Sequence, residues 1–322
     1  MKSLPKIVVL MTVYNRPDFI RTAIDSFLNQ TYPNAELLIC DDCSTDTTWD
    51  VIKTYSEKNP TIRIFRNQKN IGFIRTINWL FTVAEGDFIS ILDSDDWIAT
   101  HKLEHQLRLL QEYNADCVIS EFISVKTDGT QSPLKPKYDA PKFLSVKDPN
   151  LYFPSGSFFA KSEVIKTIGG YHDYFADTFC GDIYFIHLVA EKYKILYDPE
   201  HLYYYRLSEG SMTQSFDLKK LAKLEIVYEL IKERISTGTD KLERGEYEFL
   251  EQRAKDIMER KKWRSTQYRI YGARYVDENK FKEAKRFLKE AIILNPLSFV
   301  NYRTLLYFFK KQLAGSSNKP GR

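Results

Sequence analysis

Four short apolar runs, at residues 7–11, 37–40, 62–65 and 88–92, alternate with stretches of helical periodicity. This alternation restricts the fold more than any other feature of the chain. Runs that stay apolar without a polar alternate read as strands buried on both faces. Between the first two, Phe19, Ile20, Ala23, Ile24, Phe27 and Leu28 recur at the spacing of an amphipathic helix. Residues 47–56 and 74–84 read as helices as well. Such strand–helix–strand alternation predicts an α/β fold, a mostly parallel sheet flanked by helices. Ligands then bind beyond the carboxyl ends of the strands. Those ends carry "TVYNR", "DDCSTD" and "DSDDW".

Further along, residues 97–113 read as a helix, 117–120 as a strand, and the Lys-, Pro- and Asp-rich 126–150 as a loop over one face. From residue 216 the pattern is helical and charged. That segment holds 25 Lys and Arg against 15 Asp and Glu, while the rest holds 22 against 28. The expected organisation is therefore a domain over 1–215 and a basic α-helical C-terminal region over 216–322. The domain is expected to divide into a first half of about 1–98 and a second half of about 99–215. Within the basic region, residues 271–296 resemble one tetratricopeptide-type helix pair, with Ala284, Ala291 and Pro296 at matching places. One such unit does not bury its own face, and no convincing second copy follows.

A 43% hydrophobic, 14% aromatic chain of 322 residues is not a disordered one. The first apolar run is short and ends in Tyr14-Asn15-Arg16-Pro17, unlike a secretory leader. No stretch approaches the ~18 apolar residues of a membrane span, so a cytoplasmic location is expected. Cys40 and Cys43 have redox spacing, but the intervening Asp41 and Asp42 would raise a thiol pKa rather than lower it. A zinc site would need a second such pair, and the remaining cysteines, Cys117 and Cys180, do not form one. The basic tail lacks base-stacking or groove-reading motifs, so no nucleic-acid partner is expected. His101 and His105 lie four apart on a surface helix and read as solvated or structural.

The stretch "FISILDSDDWIA" ends a buried strand with Asp93, Asp95 and Asp96 within four positions. Asp and Ser are common in turns and at helix starts, and Asp96 suits a cap for a helix beginning at Trp97. A turn does not require three acids, however. Oxygen ligands at short spacing suit Mg²⁺ or Mn²⁺ bound together with a diphosphate. "LLICDDCSTDTTWDVI" repeats the strand–acid–helix pattern. There Asp41 or Asp42 either ends the strand or accepts a hydrogen bond from a pyrimidine ring N–H. Thr12, Tyr14 and Arg16 follow the first strand, where Tyr14 can stack on a base. No glycine-rich phosphate loop occurs near these strands, so a metal and basic side chains must hold the phosphates.

Three stretches, "VLMTVYNRPDFIRTAIDSFLNQTYPNAELLICDDCSTDTTWDVI", "NIGFIRTINWLFTVAEGDFISILDSDDW" and "GSFFAKSEVIKTIGGYHDYF", resemble the family-2 glycosyltransferases of GT-A (Rossmann-like) fold. The resemblance runs over roughly residues 5–215. It implies an inverting enzyme that moves a sugar from a nucleoside diphosphate, commonly UDP, to an acceptor hydroxyl. A divalent metal, Mn²⁺ or Mg²⁺, is implied as cofactor. The implied acceptor is a glycan or a lipid-linked sugar, in bacterial cell-surface polysaccharide synthesis. By motif position Thr12, Tyr14 and Asp42 look like nucleoside contacts, Asp42 on the uracil, and Arg75 like a basic residue near the nucleotide. Asp93 and Asp95 form the D-x-D, with Asp95 the direct metal ligand, Asp93 a supporting contact to metal or nucleotide, and Ser94 against the nucleotide-sugar. The general base falls on Asp182. The family's usual Glu-Asp appears here as Gly181-Asp182, and Asp182 also suits a cap for a helix over 183–190. Arg206 matches a diphosphate contact, although Ser208 stands where relatives often carry His.

In this scheme one in-line displacement inverts the stereochemistry, so no enzymic nucleophile is needed. Two other readings stay open: a nucleotidyltransferase, and a nucleotide-sugar-binding scaffold without turnover whose basic tail is the working part. The tail itself either rests on an anionic membrane as a peripheral contact, through Lys261, Lys262, Lys310, Lys311 and the aromatic run 302–311, or packs as an ordinary helix with a solvated basic face.

Overall fold

A computed structural model describes residues 4–147, 151, 153–178, 180–207 and 215–317, with side chains to 313. Ser208 lies outside the described residues. The chain divides into two compact units, residues 1–215 and 216–322.

The first unit runs β1 (Ile7–Val13), α1 (Ile20–Leu28), β2 (Ala35–Asp41), α2 (Thr48–Lys58), β3 (Ile62–Arg66), α3 (Phe73–Val83) and β4 (Phe88–Ile91). It continues through β5 (Trp97–Ile98), α4 (Lys102–Glu112), β6 (Cys117–Val125), β7 (Gln131–Pro133), β8 (Lys142–Phe143), β9 (Phe158–Lys161), α5 (Ser162–Ile168), α6 (Gly181–Lys192) and β10 (Ile195–Arg206). The main sheet order is β3-β2-β1-β4-β9-β6-β10-β5. β3, β2, β1 and β4 are mutually parallel, as the β-α-β alternation predicted. Beyond them β9 runs antiparallel to both β4 and β6, while β6 and β10 are again parallel. Ile7, Val9, Met11 and Val13 enter one core cluster with side chains of α1, α2 and α4. The alternate Val8 and Leu10 are equally buried, so β1 is covered on both faces. Since β1 pairs with β2 on one side and β4 on the other, the strand order reverses at β1, and a crevice opens beyond its carboxyl end.

The helix expected over 97–113 starts late. Trp97 and Ile98 form β5 instead, pairing with Tyr204 and Tyr203 on β10. The Trp97 ring stacks flat on Tyr204 at 5.2 Å, and the Ala99 amide donates to the Leu202 carbonyl. Sheet pairing and ring burial outweigh helix propensity here, and α4 begins only at Lys102. Asp96 is therefore not a helix cap. The loop expected over 126–150 contains two short strands, β7 against β6 and β8 against β10.

One consequence of this packing is testable. Lys102 is fully buried, and its Nζ donates to Ser90 Oγ at 2.9 Å. Burial lowers its pKa from 10.5 to about 7. The unfolded chain thus holds the proton more tightly between those values, and stability rises with pH across that window. Lys102→Met should raise thermal stability below pH 7, by roughly 1–3 kcal/mol, with the gain shrinking toward pH 10. Melting curves from pH 5.5 to 10 check this.

The second unit is helical: α7 (Leu218–Thr237), α8 (Tyr247–Glu259), α9 (Lys261–Asp277), α10 (Phe281–Leu294) and α11 (Phe299–Ser317). The expected helix pair is α9 and α10, with Ala284 and Ala291 fully buried. A Cβ on Gly272 would lie 2.7 Å from Leu288, so glycine lets the two helices approach closely. Asn301 of α11 is buried and donates to Ala291 O and Ser265 Oγ, tying the third helix to the pair.

Candidate active site

The crevice beyond β1 and β4 is a cleft of about 380 Å³, within the size range of small-ligand sites. Its lining includes Thr12, Tyr14 and Arg16 from the loop after β1, Asp42 after β2, Asp93–Asp96 after β4, and Asp182 at the start of α6. Eight of the ten residues singled out in the sequence thus converge on one cavity: Thr12, Tyr14, Arg16, Asp42, Asp93, Ser94, Asp95 and Asp182. Arg75 and Arg206 do not line it. Arg75 is exposed and held in a two-point pair by Asp173, at 2.7 and 3.0 Å.

The loops are held firmly. Asn15 adopts a left-handed conformation (φ 50°), its amide donates to Ser44 Oγ, and its side-chain oxygen accepts from the Thr45 amide. This joins the loop after β1 to the loop after β2. The two acids after β2 have separate roles. Asp41 is buried, pairs with Arg66 at 3.0 Å and accepts from the Ser44 amide, so it ends the strand. Asp42 accepts from Asn67 Nδ2 and the Ile71 amide on Oδ1, and from the Gly72 amide on Oδ2. Gly72 (φ 86°) precedes α3, and the Asp42 carboxylate fixes this turn at the cleft edge. A carboxylate offers about four acceptor positions, and Oδ2 keeps one for a further donor. The neighbouring Cys40 thiol is pushed up to about 12, first by burial and then by Asp42 and Asp41, so it stays protonated.

The cluster after β4 is braced by β10. Asp93 is half-buried, and its Oδ2 accepts from Ser155 Oγ at 2.8 Å and Tyr203 OH at 3.0 Å. Asp96 is buried, accepting from Tyr203 OH and from the Arg206 amide. Arg206 sends Nε to the Asp95 carbonyl at 2.8 Å, and its guanidinium lies over the rings of Phe19 and Trp97. Its observed place is thus the support of the acidic loop. Asp95 stands nearest a cation, 3.9 Å from Arg16 Nε. Burial, then the charge of Asp95, raises Asp93 to about 6, and the same causes push Asp96 well above the carboxylate range. Closely spaced, half-buried carboxylates that repel one another are the donor chemistry that suits a hard divalent cation. Asp93 and Asp95 fit that role, whereas Asp96 is occupied by Tyr203 and Arg206.

Asp182 sits in the first turn of α6 rather than at its cap, which is Cys180. Its Oδ1 accepts from the Ile183 amide at 2.8 Å, and burial, with a smaller contribution from Asp93, raises its pKa to about 7. The missing acid at Gly181 has a steric reason. A Cβ there would meet Ile74 Cδ1 at 2.7 Å and Phe175 Cβ at 3.3 Å, so the space is filled from α3.

Tyr203, Ser155 and Gly156 were not singled out from sequence. Tyr203 is one of several tyrosines in "YYYR", and Ser155 and Gly156 lie in a short turn, so only the folded chain shows their partners. A Cβ on Gly156 would lie 2.1–2.4 Å from the Tyr203 ring. Gly156→Ala should therefore displace Tyr203 from both carboxylates and cost roughly 1–3 kcal/mol, read as a lowered melting temperature. His101 and His105 lie outside the cleft. His105 contacts Asp198 at 3.1 Å and Glu200 at 3.3 Å, His101 pairs with Glu200, and Arg108 approaches His105 Nδ1 at 3.2 Å.

Comparison with known proteins agrees with this geometry. An Escherichia coli UDP-Glc:alpha-D-GlcNAc-diphosphoundecaprenol beta-1,3-glucosyltransferase, WfaP, is 37% identical over 103 residues, 32% of this chain and 40% of that protein. The matched stretches span about half of the first curated relatives, 56% and 53%. The crystal structure of S. aureus TarS 1–349 with UDP-GlcNAc superposes with a TM-score of 0.64 at 18% identity, over 95% of this chain and 89% of that one. The mannosyltransferase PcManGT of Pyrobaculum calidifontis, with GDP-Man and Mn²⁺, gives 0.57 at 15% identity, over 97% and 81%. At these identities the likeness shows the fold, the expected GT-A sheet with its flanking helices. Residues 8–169, half of the 322, match the family described as Glycosyl transferase family 2, and with its strand ends, acidic loop and cleft so arranged, the chain belongs to that family.

Proposed function

We propose that the cleft binds a UDP-sugar together with Mn²⁺ or Mg²⁺ and transfers the sugar, with inversion, to a hydroxyl of a glycan or lipid-linked acceptor in bacterial surface-polysaccharide synthesis. The observation that carries this reading is the convergence of Asp93, Asp95 and Asp182 on one cavity. Support comes from the family, from the UDP-Glc donor and diphosphoundecaprenol acceptor in the name of WfaP, and from the nucleotide-sugars and Mn²⁺ of the two structural neighbours.

Tyr14, 42% exposed at the cleft, offers its ring to the base. Asp42 accepts the uracil N–H through the remaining position on Oδ2, and Thr12 lines the same pocket. Asp95 and Asp93 would hold the metal, which supplies charge neutralisation for the departing diphosphate. Arg16 brings a positive charge to the same region, and Arg75, if released from Asp173, is within the same domain to assist. Asp182 takes the proton of the attacking hydroxyl, a task for which a pKa near 7 is well matched.

The test is UDP release from UDP-glucose, UDP-galactose, UDP-GlcNAc, UDP-GalNAc and UDP-glucuronic acid, with and without Mn²⁺. Metal-dependent UDP release from at least one donor is the expected result. Pyrophosphate release would return the nucleotidyltransferase reading, and tight UDP-sugar binding without any release would favour the scaffold.

A further inference from the structure

We propose that the outer face of α11 docks on an anionic lipid surface. The basis is the folded second unit, independent of the nucleotide chemistry of the cleft. α11 has two apolar faces. Asn301 and Phe308, each 2% exposed, face inward. Phe299, Tyr302, Leu306 and Phe309 recur at three- and four-residue spacing, so they share one face. That face is open: the four are 78%, 42%, 63% and 47% exposed. It is extended before the helix by Leu297 and Ile293, 93% and 59% exposed. Scattered exposed apolar residues are ordinary in soluble proteins, but a contiguous stripe of this kind marks a contact surface.

Charge decides the occupant. Glu290 is the last acid of the chain, and residues 291–322 contain no Asp or Glu. Arg303, Lys310 and Lys311 are exposed on α11 itself. Arg303 and Lys310, four residues after Phe299 and Leu306, border the stripe on α11 with Lys311 close by. An apolar stripe with a basic edge suits the boundary of an anionic bilayer, where rings and aliphatic chains enter the acyl edge and the cations meet lipid phosphates. A second copy of the chain fits poorly, because two-fold pairing through the stripe would bring Arg303 and Lys310 of both copies together with no acid on the helix to offset them. No helix among the described residues is long and apolar enough to cross a membrane. The contact therefore lies along the surface.

The test is co-sedimentation of the full chain with phosphatidylcholine vesicles, with and without about 30% phosphatidylglycerol. Three proteins are compared: wild type, Leu306→Asp/Phe309→Asp, and Arg303→Gln/Lys310→Gln/Lys311→Gln. The substituted side chains are exposed, and matching melting curves confirm that each variant folds. The wild type should partition onto anionic vesicles about ten-fold more strongly than onto neutral ones. The apolar double variant should lose about ten-fold on anionic vesicles, and the triple variant should lose the preference for them and its salt sensitivity. Equal, weak sedimentation of all three would overturn the proposal. So would a wild-type dimer in sedimentation velocity that the double variant dissolves without any change in lipid binding.

Discussion

Asp182→Asn should lower sugar transfer by about 10²–10⁴-fold while UDP affinity stays within about two-fold. Asparagine keeps an oxygen that can accept from the Ile183 amide, so the local hydrogen bond at 2.8 Å survives and only proton uptake is lost. The pH dependence follows from the same burial. With its pKa raised to about 7, the wild-type base is protonated in acid, so turnover should climb as pH rises toward 7 and level off above it. Stability should move the other way. A carboxyl whose folded pKa exceeds its unfolded value of 3.8 favours the folded state in acid, and that advantage is lost as pH rises through 7. Above pH 7 the poorly solvated charge opposes folding, so Asp182→Asn should melt higher than wild type at pH 8. Activity lost with stability gained distinguishes a catalytic base from a helix-start residue, whose removal would lower both.

The second large effect concerns Asp95. Asp95→Ala should reduce kcat/KM by about 100-fold or more, with the loss in metal-dependent nucleotide binding, because its carboxylate lines the cleft where the cation would sit. Asp96→Ala provides the contrast. It removes the acceptor of both Tyr203 OH and the Arg206 amide, so its main effect should be a lowered melting temperature, of the size expected when buried donors lose their partner, about 1–3 kcal/mol. Thermal melts and UDP titrations on the two variants separate these roles. Three acids within four positions look equivalent in sequence; burial and β10 make them different.

The parallel half of the sheet was legible because its central strand β1 is apolar on both faces and its helices have clear stripes, so local pattern and final packing coincide. The site residues after β1, β2 and β4 were legible for a related reason: strand ends in such a sheet point into one crevice. What local pattern did not show depends on distant partners. Trp97 and Ile98 sit in a helix-compatible stretch, yet β10, about a hundred positions on, captures them as a strand. The same strand supplies Tyr203 to Asp93 and Asp96, a contact of residues 110 and 107 positions apart. Gly181 read as a departure from the family pattern, and the reason was a side chain on another helix, Ile74, filling the space. Arg206 was expected at the diphosphate, whereas it lies across Trp97 and Phe19 and holds the Asp95 carbonyl.

The central claim is that Asp93 and Asp95 make nucleotide binding depend on a divalent cation. Calorimetric titration of UDP into the wild type and Asp95→Ala, each with and without Mn²⁺, tests it most directly. Wild-type affinity should rise about ten-fold or more when Mn²⁺ is added, and the Asp95→Ala protein should show little of that gain. Equal affinity for UDP in all four titrations would contradict the assignment.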